Sequence, residues 1–98
     1  MKRHSFDLAA GLAQVYLLDR DTGLLCRIVG LYAARGLEVL HLDYAYAAQG
    51  VMKLSVRVAG DEELMDSVRV LVEKVGTFVG VLAATVDDSR GTATAMAA

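Results

Sequence analysis

Few residues in this chain could carry chemistry. Arg20 stands between Asp19 and Asp21, with Thr22 and Gly23 following. An arginine beside a glycine-bearing loop is the start of a phosphate cradle, but a cradle needs several open amides. Here one glycine is present and two carboxylates flank the guanidinium, a poor surround for a phosphate and for an acylphosphatase-type enzyme. Cys26 is the single cysteine, so an intramolecular disulfide or a paired-cysteine copper or zinc site is excluded. It falls within a helical pattern and reads as a small hydrophobe. His4 and His41 have no partner at catalytic or metal spacing. Asp43 shares the strand side of His41, which makes a polar patch and nothing more. Asp61-Glu62-Glu63 reads as a solvated helix start. No cofactor or metal is expected. What remains is the turn Asp21-Thr22-Gly23 at the mouth of an apolar helical run. The unpaired amides of a helix entrance can hold a carboxylate, and glycine keeps a side chain out of the way. The same turn is also an ordinary way to begin a helix.

The rest of the composition narrows the classes. Ninety-eight residues make one domain at most, and at 55% hydrophobic the chain is apolar for its size. It should fold, and it has surface to spare for a partner. The net charge is −2, with Lys and Arg scattered, which gives no footprint for nucleic acid or an anionic membrane. Tyr44 and Tyr46 lie on one strand, but the next strand has no aromatic, so they read as packing or interface residues rather than a base-stacking platform. Asp7 interrupts the start Met1-Lys2-Arg3, against a signal peptide. No apolar run reaches bilayer length. A reducing, cytoplasmic setting is the expectation.

The elements that must position the turn follow from periodicity. Residues 1–11 read as a tail and 12–18 as the first strand. Asp21 or Thr22 caps a helix whose face is Leu25, Ile28, Val29 and Tyr32, and Gly36 stops it. Residues 37–46 read as a second strand with a bulge between Val39 and Leu42. Residues 51–59 are the clearest strand, with Met52, Leu54, Val56 and Val58 on one face and Lys53, Ser55 and Arg57 on the other. A second helix buries Leu64, Val68, Leu71, Val72 and Val75, and Gly76 ends it. Residues 77–86 read as the fourth strand and 87–98 as a disordered tail. The order β-α-β-β-α-β predicts an α+β ferredoxin-like sandwich: a four-stranded antiparallel sheet with both helices on one face.

Over residues 12–86 the sequence resembles the ACT domain, and most of all the single-domain regulatory subunit of acetolactate (acetohydroxyacid) synthase. The stretches that carry this are D-T-G-L-L-C-R-I-V-G-L-Y at 21–32, R-G-L-E-V at 35–39, M-K-L-S-V-R-V at 52–58, G-D-E-E at 60–63 and L-V-E-K-V at 71–75. Longer subunits of that family carry a second domain; this chain looks like the short type. The resemblance implies a non-catalytic protein in branched-chain amino-acid biosynthesis. It would work as a homodimer, bind the large catalytic subunit of a thiamine-diphosphate enzyme, and transmit feedback inhibition. It also implies an amino-acid effector site at the dimer interface: Gly23 as the loop glycine, Asp21 and Thr22 offering amides to the effector carboxylate, Arg20 and Glu38 approaching from opposite subunits, and Leu24 or Leu31 reaching the interface. Arg20 and Glu38 stand where feedback-sensitive members have asparagine. Arg only donates hydrogen bonds and ionised Glu only accepts them, so the pair is not expected to hold valine in the family manner. A stand-alone amino-acid sensor with another partner is the first alternative, and an acylphosphatase-type enzyme on the same fold is the second.

Overall fold

A computed structural model describes residues 11–87. Strand β1 is Leu12–Asp19, helix α1 Thr22–Ala34, strands β2 and β3 Val39–Ala48 and Val51–Val58, helix α2 Met65–Gly76 and strand β4 Val81–Asp87, with a 3-10 turn over Glu62–Leu64. The sheet order is β2-β3-β1-β4, antiparallel throughout. This is the expected ferredoxin-like arrangement. Of the tails expected at 1–11 and 87–98, residues 1–10 and 88–98 lie outside the described residues, while Asp87 pairs opposite Ala13 as the last residue of β4.

Strand period two sorts the sheet into two faces. Tyr16 and Leu18 of β1 and Leu54, Val56 and Val58 of β3 face the helices, and with Leu24, Ile28, Tyr32, Val68, Leu71, Val72 and Val75 they form one core. Both helices therefore cover the same side of the sheet. The buried stripe of α1 is Leu24, Ile28 and Tyr32, at intervals of four residues. The expected Leu25 is half-buried instead, as is Leu64 before α2, and both pack at the rim of the core. The bulge in β2 falls between Val39 and His41, where the register slips by one.

The fourth strand begins later than its sequence suggests. Residues 77–80 are a connection, although Thr77, Phe78 and Val79 are all β-formers. The Thr77 hydroxyl and amide both donate to the Lys74 carbonyl, at 2.6 and 3.0 Å, and the Phe78 amide donates to Val75. Those bonds satisfy the terminal carbonyls of α2. Gly76 is the last residue of that helix, and the positive-φ break comes at Gly80, φ +97°.

Candidate functional site

The β1–α1 turn lies at one end of the sheet, clasped by two neighbouring turns. The Asp19 amide donates to the Gly80 carbonyl at 2.8 Å and the Arg20 amide to the Gly50 carbonyl at 3.2 Å. Gly80 is small by necessity: a Cβ there would come within 3.0 Å of Leu24 Cδ2, on top of its positive φ. The path of the chain into α1 is thus set by two glycine turns distant in sequence.

Asp21 is the N-cap, in extended conformation, and its Oδ1 accepts from the Gly23 amide at 2.9 Å and the Leu24 amide at 3.4 Å. Two of the amides that could receive an external carboxylate are therefore held by a carboxylate of the chain itself. A Cβ on Gly23 would sit 3.3 Å from that same Oδ1. The glycine makes room for the capping side chain at least as much as for a ligand. Arg20, Asp21, Thr22 and Gly23 are exposed, whereas Leu24 is 2% exposed and points into the core.

Glu38 lies at the other end of the same protomer. Its carbonyl accepts the Ala59 amide at 2.9 Å, and Val39 beside it pairs with Val58. The length of the sheet, about 23 Å for seven strand steps, separates it from the turn. Among the described residues neither Arg20 nor Glu38 takes part in an ion pair. One protomer thus gathers Arg20, Asp21, Thr22, Gly23 and the backbone of Leu24, and leaves Glu38 apart.

The two edges of the sheet differ. On β4 the helix-side residues are covered by α2, so closely that a Cβ on Gly76 would lie 3.7 Å from Ala84 Cβ. On β2 the helix-side residues Leu42 and Tyr46 are 40% and 62% exposed, and only Tyr44 packs against the core. On α1, Arg27 stacks 4.5 Å from the centroid of the ring of Phe78, which follows α2 in the chain. Leu25 and Val29, on the opposite flank of α1, are half-buried. Strand β2 therefore combines an open backbone edge with an uncovered apolar strip, the combination that invites pairing. Cys26 is exposed on α1 rather than packed in the core. His41 and Asp43 share the helix-free face of the sheet with Lys53, Ser55 and Arg57. Among the described residues no group of three or more His, Cys, Asp or Glu is placed to hold a metal ion.

One feature escapes the sequence reading. Gln14 is fully buried between the sheet and α1. Its Nε2 donates to the Leu12 carbonyl at 2.9 Å, and its Oε1 accepts from the Tyr32 hydroxyl at 2.8 Å. The Tyr16 and Tyr32 hydroxyl oxygens are 2.6 Å apart. Burial pushes the Tyr16 phenol up to about 12. Tyr32 is pushed higher still by burial, with the Tyr16 hydroxyl adding to it. The available signal is phase: Gln14 falls in step with Tyr16 and Leu18, so a polar side chain occupies a core position that needs a partner.

The sequence matches no family model and none of the curated proteins. Solved structures do share the fold. The C-terminal domain of the MgtC protein from Mycobacterium tuberculosis superposes with a TM-score of 0.63 at 16% identity, over 82% of this chain and 88% of that one. The acetolactate synthase small subunit from Thermotoga maritima gives 0.63 at 20% identity, over 79% of this chain and 47% of that chain. The ACT domain from the GTP pyrophosphokinase of Chlorobium tepidum gives 0.63 at 13%, over 76% and 94%. At such identities the likeness is one of fold, and that fold is ACT-like. No described helix is long and apolar enough to cross a membrane.

Proposed function

We propose that this protein is a non-catalytic regulatory ACT-type subunit that pairs with a second copy through β2, and that its catalytic partner is acetolactate synthase. The observation that carries the pairing is a difference between the two edge strands: the helix-side residues of β4 lie under α2, while Leu42 and Tyr46 of β2 are uncovered. A two-fold axis near the middle of β2 would run the two edge strands antiparallel and extend the sheet across both subunits. The start of β2 in one subunit then lies beside the end of β2 in the other. Glu38 of the partner subunit is thereby carried to the end of the sheet that holds Gly50 and Arg20. Two residues a sheet length apart in one protomer become neighbours in the pair, which is where the resemblance places an effector.

In that setting Arg20 and the partner's Glu38 occupy the effector space as an ion pair, while Asp21 already holds two of the turn's amides. Valine, leucine and isoleucine then bind weakly or not at all. The choice of acetolactate synthase rests on the motif stretches at 21–32 and 35–39, with support from the fold shared with a small subunit of that enzyme. The reading places the protein in the cytoplasm, with no cofactor of its own. Co-purification from the native cell tests it. A large thiamine-diphosphate enzyme retained by this chain supports the assignment. Retention of a different enzyme favours an amino-acid sensor with another partner.

A further inference from the structure

The buried Gln14–Tyr32–Tyr16 cluster has a fixed direction. Gln14 Nε2 donates to the Leu12 carbonyl, so Oε1 is the atom left to face Tyr32. The single hydroxyl proton of Tyr32 is then used on Oε1, and Tyr16 must be the donor across the 2.6 Å contact between the two hydroxyls. Tyr32 is the middle of the chain, accepting from one strand residue and donating to another. Tyr16 and Gln14 both belong to β1, so the helix is tied to this strand at one position.

The other buried contacts of α1 are those of Leu24 and Ile28, which are apolar. Apolar contacts are non-directional and tolerate small slides. Hydrogen bonds of this length do not: a slip of one residue along the helix axis is about 1.5 Å, which takes an O–H···O pair well outside its range of about 2.5–3.0 Å. We infer that Tyr32 is a positioning residue for the β1–α1 turn, fixing the axial register of α1 on β1 and so placing Gly23 and Leu24 from about 13 Å away along the helix. The inference gives a purpose to the turn only through the site proposed above, but the register itself is independent of any ligand.

The test uses the full chain, with no ligand present, followed by amide NMR and hydrogen exchange. Tyr32→Phe is expected to shift the Gly23 and Leu24 amide resonances and to speed their exchange by about tenfold or more, the factor that a lost buried hydrogen bond carries. Tyr16→Phe keeps the Tyr32–Gln14 bond and is expected to leave both amides in place. A folded Tyr32→Phe protein with unmoved Gly23 and Leu24 amides overturns the inference, as does a Tyr16→Phe protein that moves them equally. If Tyr32→Phe does not fold, Gln14→Leu removes the same anchor, and the same shift is required of it. Failure of valine or of the synthase to bind leaves this result untouched, so the two readings fail separately.

Discussion

Asp21 does at residue scale what a bound anion would do. Its carboxylate satisfies the Gly23 and Leu24 amides and sits at the positive end of α1. Asp21→Ala should lower stability by about 1 kcal/mol, and Asp21→Asn by less, because asparagine also caps well; urea titrations of the three proteins measure this. The tyrosine pair makes a second demand. Both phenols have folded pKa values raised above the ordinary 10, Tyr16 to about 12, chiefly by burial. The folded state therefore keeps protons that the unfolded chain releases. The stabilisation is complete below pH 10 and is lost as pH rises from 10 toward the folded values. The slope approaches about 1.4 kcal/mol per pH unit for each phenol. Denaturation midpoints between pH 9 and 12 should fall, and Tyr16→Phe should flatten the fall.

At the scale of elements, the glycines divide by what surrounds them. Gly30 lies mid-helix on the exposed side of α1, and a Cβ there meets nothing within 4 Å. Gly30→Ala should stabilise the protomer by about 0.5–1 kcal/mol through helix propensity. Gly80 combines φ +97° with a 3.0 Å approach to Leu24. Gly80→Ala should destabilise by more than about 1 kcal/mol and loosen the clasp on Asp19. Thermal melts of the two variants should move in opposite directions. The sheet edges follow the same logic of covering. Where α2 lies over β4 the helix-side residues of that strand are covered, and on β2 Leu42 and Tyr46 are left in water.

For the whole molecule, the proposed pairing through that edge makes a demand on mass. Light scattering at micromolar concentration should give the mass of a dimer. Leu42→Lys with Tyr46→Lys should give a folded monomer, because lysine protects an edge from pairing. A monomeric native protein would count against the proposed site, which one protomer cannot complete. Calorimetry adds the chemical half. The native protein should bind valine weakly or not at all, and Arg20→Asn with Glu38→Asn should restore measurable binding. Micromolar valine affinity in the native protein would mean that no ion pair fills the site.

The order of elements and the faces of β3 and α2 were legible in the sequence because each is a local repeat. Met52 to Val58 alternate, and Val68, Leu71, Val72 and Val75 recur at helical spacing. A cap at Asp21 or Thr22 and the bulge after Val39 were legible for the same reason, since turn chemistry and a break in phase are read from neighbouring residues; the structure decides for Asp21. The start of β4 was not, because Thr77 to Val79 favour strands and only bonds back to α2 hold them out of the sheet. The candidate site was legible in part. Sequence could pick out the turn, but it took the folded chain to show that Asp21 fills the amides, that Leu24 is turned into the core, and that Glu38 is a sheet length away. The Gln14–Tyr32–Tyr16 chain and the bareness of β2 were also decided only in three dimensions. Each depends on which surfaces the helices happen to cover, and that is a property of packing between distant segments, carried by no single stretch of residues.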